Sequence, residues 1–62
     1  MLTNEQKAKL VERRLLEYHT RLFNLEMDRT ALEAIGDSAG VEAVDQRIAA
    51  LRKAYAAVKG MS

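Results

Sequence analysis

His19 is the only imidazole in the chain, and it stands in a column of ionisable residues seven apart: Glu12, His19, Glu26 and Glu33. Carboxylates and an imidazole projecting inward from a helical bundle can hold a pair of iron or manganese ions. That chemistry needs Glu-x-x-His, because ligands three apart on a helix can share one ion. Leu16 stands where that Glu belongs. Residues seven apart lie about 10.5 Å apart along a helix axis, too far for one ion. A zinc site fails too, since the chain has one His and no Cys and zinc takes four ligands. The column reads instead as a boundary between two apolar faces of one helix.

Nucleophilic catalysis fails on geometry. The serines are Ser38 and Ser62. His19 lies roughly 28 Å from Ser38 along a straight helix, and a nucleophile needs its base within hydrogen-bond reach. Gly36–Gly40 is not a phosphate loop, because Gly40 is followed by Val41-Glu42 rather than by Lys-Ser/Thr. The expectation is no catalytic residue, no metal and no cofactor.

The elements that carry these residues are helical. The chain has no Pro and is rich in Leu, Ala, Glu, Lys, Arg and Gln, all good helix formers. Thr3 and Gln6 have the spacing of a capping box. Gly36 is placed as a left-handed helix stop, Asp37 or Ser38 can cap a second helix, and Gly60 is expected to end that helix as Gly36 ends the first. The reading is a single all-α unit over residues 1–62. It has helix 1 at about 4–35, a loop at 36–38 and helix 2 at about 39–59. So short a loop makes the helices antiparallel neighbours.

The second helix carries one coiled-coil seam: Val41, Val44, Ile48, Leu51, Tyr55 and Val58 follow steps of three and four. Ala43, Ala50, Ala54 and Ala57 flank it and permit close approach of another helix. The first helix carries the matching seam, Ala8, Val11, Leu15, Tyr18, Leu22, Leu25 and Leu32, interrupted by Arg29. It also carries a second stripe, Leu16, Phe23, Met27 and Ala34, more than about 100° round the wheel. A surface helix normally has one apolar stripe, so two stripes imply two neighbours. Tyr18 and Tyr55 take seam positions. Phe23, on the second stripe, is expected to contact a partner.

Length points the same way. At about 1.5 Å per residue the first helix runs roughly 48 Å and the second roughly 31 Å. Folded back, the second reaches about residue 15, and residues 4–14 overhang. Leu10 and Val11 of the overhang join Leu16, Phe23 and Met27 as the expected oligomer or partner interface. A chain of 62 residues without Cys needs some staple beyond its own core, and oligomerisation supplies it. The expected fold is therefore a coiled-coil-like hairpin that dimerises into a four-helix bundle.

Net charge is +1, but the charges are unevenly placed. The open end holds Lys7, Lys9, Arg13, Arg14, Arg21, Arg47, Arg52, Lys53 and Lys59 against Glu5, Glu12 and Glu17. The loop end holds Glu26, Asp28, Glu33, Asp37, Glu42 and Asp45 against Arg29. In an antiparallel two-fold dimer each basic end meets an acidic end, and two-fold dimers are the commonest oligomers. The alternative is a nucleic-acid patch built from Lys7, Lys9, Arg13, Arg14, Arg52 and Lys53.

In length and topology the chain resembles the small plasmid copy-number regulators, which dimerise two hairpins into a four-helix bundle and bind RNA. That resemblance implies the nucleic-acid alternative. Asp45-Gln46-Arg47-Ile48-Ala49 is faintly similar to the Ser-Gln-x-Leu-Asp motif of small sporulation phosphatases acting on response regulators. Ala49 replaces the final acid, so no function is carried over.

The favoured function is a non-enzymatic helical interaction or regulatory protein, self-associating and binding a protein partner. No apolar run reaches the ~20 residues of a membrane span, and Met1–Lys9 holds no apolar stretch of a secretory signal. A cytoplasmic protein of bacterial or phage origin, with no membrane partner, is expected.

Overall fold

The computed structural model describes residues 1–61; Ser62 lies outside the described residues. Two helices, α1 (Asn4–Ala34) and α2 (Ser38–Lys59), pack against each other as an antiparallel hairpin measuring 50 × 15 × 13 Å. Both ends of α1 are closed by local chemistry. The Thr3 hydroxyl accepts the Gln6 amide, and the Gln6 side chain accepts the Thr3 amide, giving a complete capping box. At the other end Gly36 takes φ 74°. Its N–H reaches the Glu33 carbonyl and the Asp37 N–H reaches Leu32, the paired bonds of a Schellman stop.

Asp37, not Ser38, is the cap of α2: its carboxylate accepts the Gly40 amide at 2.9 Å. Ser38 already belongs to the helix, and the loop is one residue earlier than its sequence suggests. Gly40 is more than punctuation. A Cβ there would stand 2.6 Å from the Asp37 carboxylate and 3.1 Å from Leu32, so its bareness lets the cap and α1 close on the start of α2. Gly60 departs from expectation. It keeps right-handed helical angles (φ −66°, ψ −12°), its N–H donates to Ala56 and the Met61 N–H donates to Val58, so α2 ends by a further tight turn and not by a left-handed residue.

Gly36→Ala is expected to lower stability by about 1–2 kcal/mol, the cost of forcing a side chain into the left-handed region. Asp37→Ala is expected to cost about 0.5–2 kcal/mol through the lost cap. Thermal melts of the two variants against the parent measure both.

The core is one seam. Val44 and Ile48 are each 8% exposed and, among the described residues, are its only buried apolar side chains. Val11, Leu15, Tyr18, Leu22, Leu25 and Leu32 from α1, with Val41, Leu51, Tyr55 and Val58 from α2, are half-buried around them. Ala8, expected to start the seam, is exposed, because α2 stops short of it. The register follows from cross-helix contacts: Arg29 meets Asp45, and His19 meets Tyr55. Lys59 at the end of α2 is therefore level with about residue 15. Gly60 and Met61 carry the chain on to Val11, so the uncovered part of α1 is nearer 4–10 than 4–14.

Candidate functional site

The back of α1, away from α2, is where the hairpin leaves its chemistry unfinished. Leu16 is 66%, Phe23 60% and Met27 48% exposed. The seam touching α2 steps through Val11, Leu15, Tyr18, Leu22, Leu25, Arg29 and Leu32. The exposed residues belong to a second heptad series two positions out of phase: Arg13, Leu16, Thr20, Phe23, Met27, Thr30 and Ala34. That offset places it about 150° round the helix from α2. Nothing within one hairpin can cover it.

The two threonines in this series have turned their hydroxyls into their own helix. Thr20 donates to the Leu16 carbonyl at 3.2 Å and Thr30 to the Glu26 carbonyl at 3.0 Å. A hydroxyl satisfied in this way needs no water when it is covered. The whole central part of the stripe can therefore be buried without orphaning a polar group.

The other expected interface residues separate. Leu10 is 48% exposed and lies on the flank of α1, not on the stripe. Val11 is half-buried and ends the intramolecular seam. Both line a shallow cavity of about 330 Å³ at the open end, floored by Val58 and Met61 and rimmed by Lys7 and Arg14. A second cavity of about 260 Å³ sits at the loop end between Glu33, Gly36, Asp37, Ser38 and Val41. Beside it Ile35 is 76% exposed.

The six cations of the nucleic-acid reading do not gather on one face. Lys7 and Arg14 share the cavity rim, while Lys9 and Arg13 lie on the back of α1. Arg52 and Lys53 belong to α2 about level with residue 21, so more than about 10 Å further along the axis than Arg13. Two of the six already face carboxylates: Lys9 meets Glu5 at 3.9 Å and Arg14 meets Glu17 at 3.1 Å. Arg47, counted with the open end on sequence, stands two residues from Asp45 and falls level with Met27. The open half then has eight cations against three carboxylates, and the loop half six carboxylates against two cations. The molecule stays bipolar.

Within the ionisable column between the two faces of α1, His19 reaches α2. His19 Nε2 and the Tyr55 hydroxyl share a hydrogen bond at 3.2 Å, and their rings meet edge to face at 5.0 Å. Arg29, which breaks the apolar seam, spans the hairpin. Its Nε donates to Asp45 Oδ1 at 2.6 Å, its Nη2 to Oδ2 at 3.4 Å, and its Nη1 to Glu33 on the next turn. The Asp45 hydrogen bond and charge, then the Glu33 charge, raise the Arg29 pKa above its ordinary value. Both carboxylates are about half exposed, so salt weakens the cluster. Its use is a fixed register, because a forked guanidinium accepts one placement of its partner. Arg21 lies 5.6 Å over the Tyr18 ring, covering that seam aromatic from solvent.

Comparison with known proteins yields no match. No family model, no curated protein and no solved structure matches the chain. Among the described residues no three His, Asp or Glu gather as a metal-binding group, and no helix is long and apolar enough to cross a membrane.

Proposed function

We propose that this chain is a small cytoplasmic interaction module without enzymatic activity. Two copies associate through α1 into a four-helix assembly, and the assembly binds or regulates another protein. The observation that carries the reading is the exposure of Leu16, Phe23 and Met27 on one line of α1. Each such side chain left in water forgoes about 1.5–3 kcal/mol. A chain whose core is one seam needs that surface covered. Light scattering at micromolar concentration is expected to give at least twice the 7.0 kDa chain mass, and a persistent monomer would refute the reading.

The bipolar charge supports a second reading, a nucleic-acid-binding regulator using the open half. Arg13→Glu with Arg14→Glu separates the two. If the ends pair between chains, the double reversal weakens the assembly, most clearly at low salt. If the open half holds nucleic acid, the assembly survives and a strongly salt-dependent binding signal disappears. A pull-down from the native host, repeated after nuclease treatment, tells a protein partner from a nucleic-acid one.

A further inference from the structure

We propose that the second seam of α1 is filled by α1 of a second copy running antiparallel, with Leu16 against the partner's Met27 and Phe23 against the partner's Thr20. The proposal rests on the self-association argued above and assigns its partner surface, direction and register.

Size decides the direction. Along the seam the large side chains are Leu16, Phe23 and Met27, with long cations Lys9 and Arg13 at the open end and small residues Thr30 and Ala34 at the loop end. A parallel pair would stack Arg13 on the partner's Arg13 and Phe23 on the partner's Phe23, while Thr30 and Ala34 would face their own small copies. An antiparallel pair alternates them. With Leu16 level with the partner's Met27, Phe23 lies over the partner's Thr20, Arg13 over the partner's Thr30, and Lys9 over the partner's Ala34. Large meets small in every layer but the Leu16–Met27 one, where two flexible aliphatic chains pack. The inward-turned Thr20 and Thr30 hydroxyls present methyl groups to those layers.

Charge gives the same answer. The open half is cationic and the loop half anionic, so only the antiparallel arrangement sets unlike halves side by side. In this register His19 falls within about two residues of the partner's Glu26. On the opposite flank the partner's exposed Ile35 comes within a helical turn of Leu10 and the open-end cavity. Because the seam lies about 150° from α2, the four helices form a row with the two α1 helices in the middle, and not a square bundle.

The chain has no Cys, so introduced thiols report on the interface alone. Leu16→Cys and Met27→Cys are made separately; both sites are exposed in the hairpin and neither threatens its fold. The variants are mixed under reducing conditions, equilibrated and oxidised, and the products weighed by mass spectrometry. The antiparallel register predicts that the mixed disulfide dominates, well above the half given by random pairing. Two copies of Leu16→Cys would hold their thiols about 11 residues apart, roughly 16 Å, beyond disulfide reach. Homodisulfides of each variant in place of the mixed product would mean a parallel pair and overturn the proposal. No disulfide from a mixture that sediments as a dimer would place the interface elsewhere; self-association would stand and this register would fall. No disulfide from a mixture that sediments as a monomer would remove both.

Discussion

Phe23→Ala is expected to dissociate the assembly and leave the hairpin folded. Phe23 is 60% exposed within one hairpin, so truncation removes little that α2 touches. In the paired state it lies near the centre of the interface, where aromatic anchors commonly cost at least ~2 kcal/mol when truncated. Each dimer loses two, about 4 kcal/mol, which raises the dissociation constant roughly a thousandfold. Sedimentation should show a shift toward chain mass at concentrations where the parent is paired. Circular dichroism of the concentrated variant should retain most of the helical signal. An unchanged association constant would show that the back of α1 does not meet a second copy.

Ile48→Ala is expected to do the reverse. Ile48 is, with Val44, a buried apolar side chain of the core, and truncating a buried Ile costs about 2–5 kcal/mol. So small a domain has a total stability of only a few kcal/mol, so most of the helical signal should melt out at room temperature. Leu51 occupies the same seam but is only half-buried, and Leu51→Ala should be the milder change. A thermal melt of Ile48→Ala indistinguishable from that of Phe23→Ala would mean that α1 and α2 do not form the core described.

The hairpin was largely legible in the sequence because its determinants are local. Thr3 and Gln6, Gly36 and Asp37, and the three-four stepping of α2 each act within a few residues. The departures arise where local signals are ambiguous. A Gly after Lys59 reads as a left-handed stop, yet Gly60 keeps right-handed angles and the chain runs on into a tight turn. Ala8 continues the apolar periodicity but lies past the end of α2. The exposed stripe was also visible, since a helix wheel needs no partner to show two faces.

What the sequence hid depends on the register between the helices. Arg29 looked like an interruption of the seam and is its cross-helix tie, once Asp45 is brought level with it. His19 reads as one of a boundary column and in the fold meets Tyr55. The grouping of six cations dissolved for the same reason: Arg52 and Lys53 share an end with Lys7 in the sequence but not a face in the fold. Val11, a seam residue that also falls in the expected overhang, is half-buried because Met61 extends past the end of α2.

Sedimentation equilibrium of the unmodified chain over a range from nanomolar to millimolar concentration tests the central claim most directly. A pairing surface on the back of α1 predicts a monomer–dimer equilibrium reaching twice the 7.0 kDa chain mass, with a melting temperature that rises with concentration, as linkage requires. A single species of chain mass throughout, fully helical and melting at one temperature at every concentration, would contradict it.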